Sequence, residues 1–79
     1  MWYLYLIECD DGSLYTGITT DLEKRMNAHQ TGKGSKYVAS RGLKRLIASK
    51  EYLTRPEALK AEYFVKQLPK HQKKEWIEK

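Results

Sequence analysis

The sequence has a single cysteine, only two prolines and no long apolar run. Because Cys9 has no partner within the 79 residues, no internal disulfide can form, and we expect a protein of the reducing cytoplasm. The longest apolar run, residues 2–7, is far short of the roughly 20 residues that a membrane span needs. The start also lacks the basic and apolar regions of a signal peptide, so no membrane partner is expected.

The chain is short and basic. Its 79 residues predict one domain, 1–79, with a small core, because a domain of this size buries only about 60% of the surface that its unfolded chain exposes. Fifteen Lys and Arg stand against 10 Asp and Glu, which gives a net charge of +5. This excess favours a polyanionic partner such as nucleic acid, although charge alone fits a basic protein without a specific ligand equally well.

The N-terminal third predicts a β-hairpin. Segment 2–8 is rich in aromatic and branched residues, and its alternation covers both faces of a strand. Segment 10–12 is a turn signature in which Gly12 can supply a positive φ, and segment 13–17 then predicts a second, antiparallel strand.

The rest of the chain alternates helix signals with one further strand. Thr20 and Glu23 fit a capping box for a helix from about 21 to 30, and a flexible, basic glycine loop follows at 31–36. A third strand fits 43–49. A second capping box, Thr54 to Glu57, begins another helix that Pro69 ends, and 70–79 predicts a short terminal helix.

Two chemically interesting residues share a face of the first predicted helix. Arg25 and His29 follow Leu22 and Met26 in the i, i+3, i+4, i+7 pattern, so all four face the sheet. In one interpretation Arg25 covers the core with its aliphatic stem and His29 is an ordinary core histidine. In the other they form a phosphate clamp, in which the guanidinium binds two oxygens and the histidine exchanges a proton.

Glu62 lies at the margin of the apolar stripe of the second predicted helix. It either forms a boundary ion pair with Lys66 or binds a hard cation such as Mg²⁺, which takes one or two carboxylates together with water and phosphate oxygens. The sequence contains no phosphate loop, no nucleophilic serine motif and no cysteine or histidine pair with zinc spacing, so these classes of site are not expected.

Tyrosine is abundant, with six residues, and three of them occupy the predicted hairpin. Tyr3, Tyr5 and Tyr15 are explained equally by aromatic packing and by chemistry. A free tyrosine has a pKa of about 10, so a tyrosine acting as a base would need neighbouring cations or a metal-bound water.

Together these residues resemble a known family. Tyr3-Leu4-Tyr5, ten further residues and Tyr15-Thr16-Gly17, followed by Arg25, His29 and Glu62, are similar to the GIY-YIG nuclease domain, in particular to its small single-domain bacterial members of uncharacterised role. The similarity extends over the whole chain, including the blocks "DGSLYTGITTDLEKRMNAH", "TGKGSKY" and "RPEALKAEYFVKQL".

The resemblance implies an α/β fold of the α+β type, with a three-stranded antiparallel sheet flanked by helices in the order β-β-α-β-α-α. It also implies a phosphodiesterase site with one Mg²⁺ or Mn²⁺ ion. Tyr5 and Tyr15 would activate or position water, Arg25 would stabilise phosphate charge, and His29 would transfer a proton. Glu62 would bind the metal, and Gly17 would let the strand end bend close to the site.

Three positions depart from the family pattern. Tyr3 replaces the first glycine and Thr16 occupies the middle of the second signature, where both are expected to change packing only. Ile18 stands where excision-repair members carry a lysine, which removes a cation that could lower a tyrosine pKa and puts the catalytic rate in doubt.

The leading hypothesis is a metal-dependent endonuclease that cuts DNA at particular structures or damage, in repair or recombination, with a protein partner as one source of specificity. The alternative is a non-catalytic DNA- or RNA-binding module with the same fold, and a weaker one is an RNA- or ribosome-associated protein. Phosphate contacts are expected from five basic residues: Lys33, Lys36, Arg41, Lys44 and Arg45.

Overall fold

The computed structural model describes residues 1–79 as three strands and four helices. The predicted order β-β-α-β-α-α is confirmed, and one additional short helix, α2, precedes the third strand. The elements are β1 (Trp2–Cys9), β2 (Leu14–Thr19), α1 (Leu22–Gln30), α2 (Lys36–Arg41), β3 (Leu43–Tyr52), α3 (Arg55–Lys66) and α4 (Lys70–Glu78).

The sheet is antiparallel, with strand order β2-β1-β3. Gly12 forms the hairpin turn between β1 and β2 with φ of 85°, as its position predicts. In the central strand β1, Tyr5 lies opposite Gly17 on one side and Ser49 on the other. Tyr5 therefore lies in the central strand, between the two edge strands β2 and β3.

The alternation of β1 divides the core between the two faces of the sheet. Leu4 and Leu6 pack with α3 and α4 in a first cluster that includes Val65 and Ile77. On the opposite face Tyr5, Ile7, Cys9 and Val38 form a second cluster, and Leu22 and Met26 of α1 pack against it. Burial of both faces explains why β1 carries large apolar residues at successive positions.

The cap of α1 differs from the prediction. Asp21, not Thr20, is the N-cap, and its side chain accepts a hydrogen bond from the backbone N–H of Lys24 at 3.0 Å. The predicted capping box of Thr20 and Glu23 is therefore wrong by one residue. Both Thr and Asp are good N-caps, and Asp21 wins because its extended backbone directs the carboxylate at the free donors of the first turn.

The cap of α3 agrees with the prediction. The Thr54 hydroxyl accepts a hydrogen bond from the Glu57 N–H at 3.4 Å and donates one to the Glu57 carboxylate at 2.9 Å. Ala58, Ala61 and Val65 then follow as buried positions on the core side of the helix. Glu62 lies at the edge of this buried stripe.

The predicted flexible segment 31–36 is an ordered turn that leads into α2. Lys33 and Gly34 both donate backbone hydrogen bonds to the Ala28 carbonyl, and the Ser35 hydroxyl caps α2. None of the four helices is long and apolar enough to cross a membrane.

Candidate active site

The hydroxyl of Tyr5 is the centre of a buried hydrogen-bonded cluster. Tyr5 is fully buried at the middle of β1. Its oxygen lies 3.1 Å from the Nε of Arg25, which donates to it, and 2.8 Å from the Nε2 of His29. One tyrosine oxygen thus joins the two residues that the sequence places one turn apart on α1.

The helix α1 directs both partners at the same point. Arg25 and His29 are four residues apart, so their side chains lie on one face, and Leu22 and Met26 anchor that face on the second cluster. His29 is 2% exposed, whereas Arg25 is half-buried. The packing holds the imidazole beneath the surface and leaves the guanidinium in partial contact with solvent.

The electrostatics of the cluster set the charge of its members. Burial, and then the charge of Arg25, lowers the pKa of His29, so the imidazole is neutral at pH 7. Arg25 can only donate, so its Nε–H donates to the Tyr5 oxygen, which shares a second hydrogen bond with Nε2 of His29. The imidazole tautomer sets the direction of this second bond: Tyr5 donates when the histidine proton resides on Nδ1 and accepts when it resides on Nε2.

The Nδ1 atom of His29 is buried and has no hydrogen-bond partner. The backbone of Gly34 closes over this side of the ring: a Cβ at position 34 would lie 2.5 Å from Nδ1. Gly17 has a similar role at Tyr5, since a Cβ there would collide with the tyrosine hydroxyl and ring. The two glycines therefore make room for the two buried rings.

Tyr5 is protonated at neutral pH. Burial raises the pKa of its hydroxyl, and this effect outweighs the hydrogen bond and charge of Arg25, which lower it. The charges of Tyr15 and Glu62 raise the Tyr5 pKa further. The Tyr5 hydroxyl consequently keeps its proton and is not an ionised base.

Tyr15 forms the outer layer of the cluster. Its ring centroid is 6.4 Å from that of Tyr5 and 5.6 Å from that of His29, and the ring of Tyr37 in α2 stacks on it at 5.8 Å. The hydrogen bond to Tyr5 raises the pKa of Arg25; burial opposes this rise, and Tyr15 adds to it. A half-buried phenol thus lies beside the guanidinium.

Tyr37 connects this aromatic layer to the basic helix α2. The guanidinium of Arg41 lies 3.8 Å above the Tyr37 ring and forms an ion pair with Asp11 at 3.1 Å. Neither Tyr37 nor Asp11 was predicted from the sequence to belong to the site. The signal in the sequence was the spacing of Tyr37 and Arg41 after the glycine loop. Residues four apart share one face if the segment is a helix.

Glu62 lies at the margin of the buried stripe of α3 and keeps part of its carboxylate in solvent. Its side chain is 19% exposed and pairs with Lys66 at 3.5 Å, so the boundary ion pair anticipated from the sequence is present. The carboxylate is near enough for its charge to raise the pKa of Tyr5. The body of α3 packs on the opposite face of the sheet, so Glu62 acts on Tyr5 only from the margin of its helix.

The resemblance implies a divalent metal ion, which side chains of the site would have to bind. No three His, Cys, Asp or Glu side chains converge, so a cage made wholly of protein ligands is excluded. Mg²⁺ is commonly bound through one carboxylate, with water and substrate phosphate as the remaining ligands. A single partly exposed glutamate fits that mode, and Glu62 is the residue that would hold the ion.

The five basic residues predicted to contact phosphate fall into two groups. Lys33, Lys36 and Arg41 are exposed on the turn before α2 and on α2 itself, and Arg41 reaches the aromatic layer of the site through Tyr37. Lys44 and Arg45 instead pair with Glu8, at 4.0 and 2.8 Å. The structure therefore does not bring this second group to Tyr5.

Comparison with known proteins agrees with the geometry. Residues 1–75 match the GIY-YIG catalytic domain, and the chain belongs to that family, as the sequence motifs predict. It is 50% identical over 76 residues to a UPF0213 protein of Cronobacter sakazakii, covering 96% of this chain and 80% of the relative. The UPF0213 protein YhbQ of Escherichia coli is also 50% identical over 76 residues, covering 96% of this chain and 76% of YhbQ.

The fold also matches a solved structure. The solution NMR structure of the UPF0213 protein BH0048 from Bacillus halodurans aligns with a TM-score of 0.59 and 43% identity. The alignment covers 99% of this chain and 84% of that one. This chain is therefore similar over nearly its whole length to small bacterial UPF0213 proteins.

Proposed function

We propose that this protein is a metal-dependent endonuclease that hydrolyses DNA phosphodiester bonds. The observation that carries the proposal is the cluster of Arg25, Tyr5 and His29 joined at one oxygen, with Tyr15 packed against it and the charge of Glu62 acting on Tyr5. Family membership favours the same conclusion.

The partly exposed residues are suited to meet the substrate. Arg25 presents its remaining guanidinium donors to a phosphate and stabilises the negative charge that develops there. Tyr15, beside Arg25, orients the attacking water. Glu62 would bind Mg²⁺ or Mn²⁺, and the bound ion would supply electrostatic stabilisation of the phosphate.

The buried residues support this outer layer. Tyr5 is fully buried, so we assign it a positioning role in which its oxygen fixes Arg25 and His29. His29 is neutral with a lowered pKa, and the Tyr5 hydroxyl is the group through which a proton would reach its Nε2. Gly17 keeps the space that the Tyr5 ring occupies.

We further propose that the enzyme selects DNA by structure or damage, in repair or recombination. Lys33, Lys36 and Arg41 supply charge next to the site, and charge contacts to phosphate position a duplex without reading its sequence. The protein would act in the cytoplasm, and a protein partner could add further selectivity.

A second candidate is a DNA- or RNA-binding module without catalysis. Ile18 favours it, because this apolar residue stands where the excision-repair members carry a lysine that could lower a tyrosine pKa. Glu62 favours the enzyme, since phosphate binding alone is weakened by a carboxylate next to the anion.

The test is cleavage of supercoiled and branched DNA with Mg²⁺ or Mn²⁺ by the wild type and by Glu62→Ala. The matched control is Glu75→Ala, which removes the same charge from an exposed position on α4. We expect metal-dependent cutting by the wild type and the control only. Equal cutting by all three proteins would contradict the assignment of Glu62, and binding without cutting by all three would favour the binding module.

A further inference from the structure

A second basic surface lies on the opposite face of the sheet from Tyr5. Glu8 belongs to the face of β1 that carries Leu4 and Leu6, and it pairs across the strands with Leu14 and Arg45. An open groove of about 540 Å³ runs here between the end of the sheet and the first turns of α4. We name it the α4 groove, and its lining residues are Glu8, Leu14, Arg45, Ile47, Lys70, His71 and Lys74.

The charge of the α4 groove is positive. Arg45, Lys70 and Lys74 line it and Lys44 lies next to it, against one lining carboxylate, Glu8. Lys74 also lies 4.0 Å from the carboxylate of the last residue of α4, which is outside the groove. Even with both carboxylates ionised, two positive charges remain in excess, so an anion is the ligand class that this surface attracts.

Two of the cations are held in place by the fold. Arg45 donates its Nε–H to Glu8 at 2.8 Å, which leaves its terminal N–H groups free for another acceptor. Lys70 reaches across to the carbonyl of Gly12 in the hairpin turn. Side chains that are already ordered lose less conformational entropy when they bind, which is the property of a preformed contact surface.

The position of the groove fits a polymeric anion that also occupies the active site. Glu8 is three residues from Tyr5 along β1, about 10 Å at the rise of a strand, and the Cα trace is only 17 Å thick along its shortest axis. Ten ångströms corresponds to about three nucleotides of duplex rise. One strand of DNA can therefore follow the end of the sheet from one face to the other.

We propose that the α4 groove is a second DNA-backbone site, which holds a strand leaving the active site. It would grip phosphates through Arg45, Lys70 and Lys74, over a floor formed by Leu14 and Ile47. This inference rests on the proposed function in that DNA is the substrate, but it concerns binding and not cutting.

The test compares Arg45→Gln/Lys74→Gln with Lys60→Gln/Lys79→Gln. Both double variants lower the net charge by two at exposed positions, and the second pair lies outside the groove. Binding to a fluorescent branched DNA is measured in EDTA between 50 and 200 mM salt, and cutting is measured separately with Mg²⁺. Circular dichroism checks that each variant is folded.

Two lost phosphate contacts should reduce the slope of log K against log salt by about 1.8. Over this fourfold salt range the wild type should then lose about tenfold more affinity than the groove variant. Equal slopes for the two double variants would overturn the inference, as would tighter binding of RNA than of DNA. If the groove variant binds and cuts DNA normally, the groove proposal alone is refuted. If the wild type neither binds nor cuts DNA, the nuclease proposal is refuted as well.

Discussion

Replacing Tyr5 by phenylalanine isolates the hydroxyl that joins the site. The change keeps the buried ring and removes only the oxygen that contacts Arg25 and His29. His29 is 2% exposed, so water cannot take the place of its lost partner. A buried polar group left without a hydrogen bond costs about 1–3 kcal/mol, and we expect the free energy of unfolding to fall by that amount.

The half-buried Arg25 adds little to this loss, because water can reach its Nε once the hydroxyl is gone. For a domain of 60–100 residues, each 1 kcal/mol corresponds to roughly 4–8 °C in Tm. Tyr5→Phe should therefore melt about 5–20 °C below the wild type. DNA cutting should also fall, since the guanidinium and imidazole lose the atom that orients them.

Urea unfolding followed by tryptophan fluorescence measures the stability, with Tyr3→Phe as the matched control. Tyr3 lies half-buried two residues earlier on the same face of β1, so the control removes the same group nearby. Equal stability losses in the two variants would refute the central role of the Tyr5 hydroxyl. Nitrogen-15 NMR of His29 shows which ring nitrogen carries the proton, and so whether Tyr5 or Nε2 donates in the wild type.

Three further changes test separate parts of the structure. Because the folded pKa of His29 lies below 6.5, the unfolded chain binds its proton first, so stability should fall as pH drops from about 6.5 to 5; this slope should flatten in His29→Gln but persist in His71→Gln, as urea titrations at each pH will show. Gly34→Ala should cost about 1–3 kcal/mol by pressing on the imidazole, and a variant as stable as the wild type, with unchanged His29 NMR signals, would argue against that contact. Thr54→Ala should lower the free energy of unfolding by about 0.5–2 kcal/mol while DNA cutting stays normal, and reduced cutting would show that this cap reaches the site.

The strand faces and the margin position of Glu62 could be predicted because each follows from a short-range period. Alternation in β1 separates Leu4 from Tyr5 whatever the rest of the chain does, and the two core clusters obey it. The spacing of Ala58 and Val65 likewise fixes where Glu62 falls on α3. These patterns act within one element and need no knowledge of its neighbours.

Tertiary contacts decided what the sequence did not reveal. The glycine pair predicts a flexible loop, yet Gly34 is required for close packing on His29, a residue of the preceding helix. The helix α2 was missed because its six residues are held by Ser35 and by burial of Val38, not by a long apolar period. Arg45 carried the expected charge, but its pairing with Glu8, 37 residues away, is what places it on the opposite face.

The contacts of Ile18 show which face of the sheet its side chain occupies. It lies opposite Leu4 and packs on the first cluster, so its side chain points away from the face that carries Tyr5. The cation that contacts the Tyr5 oxygen is Arg25, and even at 3.1 Å it does not offset the effect of burial on the tyrosine pKa. An ionised Tyr5 is therefore not available to this site with Arg25 in place. The nuclease proposal depends instead on a protonated Tyr5 that orients Arg25, and Ile18 favours the binding module only to the extent that catalysis needs an ionised tyrosine.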